Sequence, residues 1–106
     1  MVRMNVQVNI YLVSGKDEEI ICDKEELLPI TKQLPLQPNN GFLEFVLKFT
    51  REDIGYVNTR KYRVPVEDYT QFFLHVNEDR ELLLLLFDEH GLSGKRHLSN
   101  FVVDIL

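Results

Sequence analysis

The chain has 106 residues, a length that fits one domain spanning the whole sequence with a core of its own. Its 44 % hydrophobic and 27 % charged content is that of a globular protein and excludes disorder as its general state. A net charge of −5 repels phosphate backbones unless the basic residues are sorted to one face, so nucleic acid is a disfavoured partner. Cys22 is the single cysteine, which rules out an internal disulfide and argues against a stapled secreted scaffold. It follows Ile20 and Ile21, a setting for a buried, inert thiol.

From Val2 to Leu12 every second residue is apolar: Val2, Met4, Val6, Val8, Ile10 and Leu12. A period of two is the mark of a strand with one buried face. The same alternation leaves no continuous apolar leader at the N-terminus. Leu82 to Phe87 is too short to span a bilayer. The expectation is a soluble, cytoplasmic protein with no membrane contact.

Ser14-Gly15-Lys16-Asp17 reads as a turn, and Glu19 to Asp23 as a short return strand. Asp23 can cap one helical turn over Lys24 to Leu28, ended by Pro29. Pro35, Pro38 and Asn39-Asn40-Gly41 make the following stretch a loop. Its apolar residues Leu28, Ile30, Leu34 and Leu36 pin it to the core. Gly41 to Thr50 is a second clear strand, with Leu43, Phe45, Leu47 and Phe49 on one face. Arg51 to Gly55 is a turn, and Tyr56 to Val66 returns as a strand with Pro65 near its end.

The period then changes. Tyr69, Phe72, Phe73 and Val76 lie at i, i+3, i+4 and i+7, which predicts a helix from Glu67 to Val76. Asn77-Glu78-Asp79 ends it. Leu82 to Phe87 is an unbroken apolar run, predicted to be a strand covered on both faces. His90 to Lys95 is a turn. Leu98 to Leu106 fits either a strand, through Phe101, Val103 and Ile105, or a short helix capped by Ser99. The fold class expected is α+β: a mainly antiparallel sheet of about five strands with one main helix on one face. The predicted core is Val6, Val8, Ile10, Leu12, Phe45, Leu47, Phe72, Phe73, Val76, Leu84 and Leu86.

Chemistry is harder to find. Asp88, Glu89, His90 and His97 surround a glycine turn, but the two histidines lack the spacing that places both imidazoles on one helix face. No metal is expected there. Gly91-Leu92-Ser93-Gly94-Lys95 lacks the glycine spacing and the hydroxyl after lysine of a P-loop, though its amides could hold an anion weakly. Ser14, Ser93 and Ser99 lie in ordinary turn or cap settings, outside any nucleophile elbow. Cys22 has acidic neighbours, which oppose thiolate formation. No catalytic residue and no cofactor follow from the sequence.

Arg60, Lys61, Tyr62 and Arg63 form the candidate binding segment, because cations interleaved with an aromatic suit phosphate contact and base stacking. In a strand, however, Arg60 and Tyr62 point one way and Lys61 and Arg63 the other. A charged edge strand, protected from aggregation, explains the same residues. The leading functional expectation is a small non-enzymatic protein-interaction or accessory domain whose partner is a second copy of itself. It would pair through a sheet edge or through the apolar C-terminus. The alternatives are a nucleic-acid-binding accessory protein using Arg51 to Arg63, and a small metal- or anion-dependent enzyme using Asp88 to His97. Val8 belongs to the buried face of the first strand and Gln7 to the other. Chemical denaturation should therefore find Val8→Asp destabilised by several kcal/mol, far more than Gln7→Asp. Equal midpoints would overturn the strand assignment.

Overall fold

The computed structural model describes residues 4–36 and 39–97. Among these, eight strands follow one another: β1 (Asn5–Ser14), β2 (Asp17–Leu27), β3 (Ile30–Pro35), β4 (Asn39–Arg51), β5 (Tyr56–Glu67), β6 (Gln71–Val76), β7 (Leu82–Asp88) and β8 (Gly91–His97). A single 3-10 turn, Glu52–Ile54, joins β4 to β5 and closes on Gly55, whose φ of 66° is left-handed. The strands form two four-stranded antiparallel sheets, ordered β2-β1-β4-β5 and β3-β6-β7-β8. The chain changes sheet after β2, after β3 and after β5.

Alternation makes this arrangement. Val6, Val8 and Ile10 of β1 are fully buried, as are Leu43, Phe45, Leu47 and Phe49 of β4. From the second sheet come Phe72, Leu74 and Val76 of β6 and Leu82, Leu84 and Leu86 of β7. These two inner faces form one hydrophobic cluster, to which Tyr62, Val64 and Val66 of β5 add the side wall.

The expected α+β fold is wrong. Residues 67–76 hold no helix: Glu67 ends β5 with a left-handed φ of 51°, and Gln71–Val76 is β6. Tyr69, Phe72 and Phe73 fit a helical stripe, but a helix leaves Leu74 off it. In the strand Leu74 is fully buried between Lys32 of β3 and Leu84 of β7. Ladder partners on both sides decide the contest, because local propensity is weak against tertiary pairing. The same shift moves Phe73 out of the predicted core to the outward face. Leu12 is only partly buried.

Three smaller expectations fail for the same reason. Lys24 to Leu28 makes no helical turn, because β2 stays paired with β1 through Leu27. A lone turn has no such ladder to hold it. The stretch after Pro29 is not all loop, since Ile30–Pro35 pairs with β6. Leu28, Ile30 and Leu36 are nonetheless buried, as the pinned segment required. The turn after β7 is also shorter than expected, because β8 already begins at Gly91. The C-terminal segment from Leu98 lies outside the described residues.

Candidate functional site

The segment Arg60 to Arg63 lies in β5, an edge of the first sheet. Tyr62 is completely buried in the inter-sheet core, so its ring is closed to a stacking base. Burial pushes its phenol pKa up, the hydrogen bond and charge of Arg60 on the same face only partly offsetting this. Arg60 lies over the Phe49 ring at 5.4 Å, and its Nη1 donates to the Arg80 carbonyl at 3.0 Å. Arg80, in the β6–β7 turn, stacks over Tyr56 at 5.2 Å and donates to its hydroxyl. These two arginines therefore clasp β5 to the β6–β7 turn at one end of the sandwich. Both have structural tasks.

Lys61 and Arg63 emerge on the opposite face of β5 and converge on Glu44 of β4. Lys61 Nζ lies 2.5 Å from Oε1, and Arg63 Nη2 lies 3.2 Å from Oε2. Arg63 also covers the Phe42 ring at 5.6 Å. Glu44 is the one buried charged residue among the described residues. Burial raises its pKa, but the hydrogen bonds and charges of Lys61 and Arg63 together outweigh this and hold the carboxyl below its ordinary range. The four sequence-predicted binding residues thus divide between a core position, an inter-sheet clasp and an ion triad with Glu44. They do not form one basic surface.

The acidic turn after β7 gathers little. Asp88 Oδ1 accepts the His90 backbone N–H at 2.8 Å, and the His90–Glu89 pair at 3.4 Å is exposed to water. Asp68, Thr70, Asp88, Glu89 and His90 line an open cleft of about 230 Å³. Among the described residues no group of three His, Cys, Asp or Glu side chains is placed to hold a metal ion. The glycine run forms β8, paired to β7 from Asp88 opposite Gly91 onward, with a register shift where Leu86 meets Phe87. Its backbone serves a ladder rather than an anion cradle. Cys22 packs against the core edge, and burial pushes its thiol pKa up. Among the described residues no helix is long and apolar enough to cross a membrane.

The outward face of the second sheet differs from that of the first. Gln71 opposes Phe87, Phe73 opposes Leu85 and His75 opposes Leu83, all half-buried. Thr31 and Gln33 continue the face on β3; Thr31 Oγ1 lies 3.1 Å from His75 Nδ1, and Gln33 Nε2 donates to Gln71 Oε1 at 3.2 Å. None of these side chains carries a fixed charge. The outward face of the first sheet carries Asp23, Glu25, Glu44, Lys48, Lys61 and Arg63. The leucine run signals the uncharged stripe in the sequence, but only β6 read as a strand adds Phe73 to it. Protein-family models, curated proteins and solved structures were compared with the chain, and none matches.

The Glu44 triad gives a pH dependence. A carboxyl whose pKa is depressed by folding contributes stability above its unfolded pKa, near the ordinary 4.5, and loses it as pH falls through the lower folded value. Glu44→Gln should cost about 1 kcal/mol at pH 7 and flatten the acid limb of the unfolding midpoint below pH 4.5. Unfolding midpoints followed from pH 7 to pH 2 would show it, and parallel wild-type and Glu44→Gln curves would contradict it.

Proposed function

We propose that this domain is a non-enzymatic protein-interaction module that associates with a second copy of itself through the outward face of β6 and β7. The contrast between the two outer faces carries the reading. A sandwich surface that meets only water alternates apolar-in with polar-out. Here Phe73, Leu83, Leu85 and Phe87 form an apolar stripe where polar residues would otherwise stand. Homodimer interfaces are more apolar than average surface, and their cores are depleted of charge. An isologous contact sets a surface against its own copy, so any charge on it meets its like. The described side chains of β3, β6 and β7 on this face set no fixed like charges together, whereas the first sheet's outer face would bring several. A lone thiol packed on the core fits a reducing compartment, and the cytoplasm is the compartment we propose.

Sedimentation at micromolar concentration tests the reading. The wild type should be a dimer, and Leu85→Glu or Phe73→Lys should give a monomer that keeps its β-sheet circular dichroism. A wild-type monomer whose unfolding does not depend on concentration would overturn it.

A further inference from the structure

The acidity of this protein has one address. β2 carries six carboxylates against Lys24, a balance equal to the whole chain's −5. The remainder of the chain carries eleven charges of each sign. β2 is also an edge: among the described residues it pairs with β1 alone, so its other side presents unpaired backbone donors and acceptors. Glu26 is committed to Lys32 of β3 at 2.6 Å, and Asp23 accepts from Gln7 at 2.6 Å. Asp17, Glu18, Glu19 and Glu25 remain exposed.

Beside this edge lies apolar surface. Leu12, Ile20, Ile21, Leu34, Pro35 and Leu36 line an open groove of about 660 Å³ where the margins of the two sheets face each other, with Glu19 at its rim. Ile20 is 64 % exposed on it. The ladder between β1 and β2 shifts register at Ile10 and Tyr11, leaving Ile21 without an opposite residue. This bulge divides the edge into a short outer piece and a regular run, Cys22 to Leu27.

We infer that the β2 edge binds a basic, extended peptide segment of a partner protein by strand addition, with an apolar residue of that segment seated in the groove beside Ile20. Strand addition draws affinity from main-chain hydrogen bonds and specificity from side-chain pockets. Charge selects among strands. Like charges directly opposite destabilise a pair and unlike charges stabilise it. A second β2 is rejected on that ground: a twofold centred on Cys22 sets Glu18 against Glu26 and Glu19 against Glu25. Acidic edges and bulges are devices that keep strands from pairing at random. Here they turn away neutral and acidic strands while leaving the ladder open to one rich in Lys and Arg. The groove supplies an apolar contact that a purely protective edge does not need.

This site is separate from the self-association face on β6 and β7, so either can fail alone. The probe is a capped peptide of about ten alternating Lys and Val residues, long enough to run from Glu19 to Leu27. Titration followed by amide shifts and hydrogen exchange should show binding that protects amides within β2. Methylating the peptide's alternate backbone nitrogens should abolish binding, and a Glu-Val peptide should not bind. Glu19→Lys with Glu25→Lys, both at exposed positions, should weaken it about tenfold, the effect of reversing two cross-strand charge pairs. Equal binding of the methylated peptide would reduce the contact to charge attraction and overturn strand addition. So would shifts confined to another surface, or protection of β2 that appears with rising protein concentration and no peptide.

Discussion

The sandwich depends on one contact between its layers, the edge of one phenyl ring against the face of another. Phe45 of β4 and Phe72 of β6 lie with centroids 5.6 Å apart and planes at 84°. Such a pair contributes beyond the area it buries. Its larger effect is on parity. With Phe45 inward, Leu43, Leu47 and Phe49 follow it, and Phe42, Glu44, Val46 and Lys48 must face out. With Phe72 inward, Leu74 and Val76 join it, and their partners Leu84 and Leu82 take the same side. A slip of one residue in β4 would drive Glu44 and Lys48 into the core. The parity these two rings share sets which residues of β4, β6 and β7 face outward.

Parity also separates the molecule's charges from its apolar excess. The first sheet turns its charged residues outward and pairs them locally, as around Glu44. The second sheet turns out Phe73, Leu83, Leu85 and Phe87. The unbalanced charge is left on β2, at the margin where both sheets end. A face whose described side chains on β3, β6 and β7 carry no fixed charge suits a copy of itself, and a charged open edge suits something of opposite sign. The two proposed contacts therefore differ in partner because they differ in physics, and they share a scaffold that the core alone determines.

Strands with strict alternation were legible in the sequence. β1 and β4 were found with the correct inner faces, because their polar residues fall at every second place. β6 is not legible locally because Tyr69, Phe72, Phe73 and Val76 fit a helical stripe, and only its neighbours β3 and β7 reveal Leu74 as core. β3 was hidden by prolines at its margins, although the burial of Leu28, Ile30 and Leu36 was expected. The candidate Arg60 to Arg63 segment was visible as composition, but the fates of its members depend on long-range partners. Glu44 lies on the adjacent strand, and Arg80 lies in a turn twenty residues away. Nothing local encodes those meetings. The β2 edge lay in plain view as an acidic run, but its standing as an unpaired ladder follows only from the strand order.

The account rests on Phe45 and Phe72 meeting across the core, and a double-mutant cycle measures that meeting. Unfolding free energies of the wild type, Phe45→Leu, Phe72→Leu and the double variant would be compared. Direct ring contact predicts that the double variant loses less than the two single losses together, with a coupling of about 0.5–1.5 kcal/mol. Strict additivity of the two losses would contradict the sandwich, and with it the assignment of both outer faces.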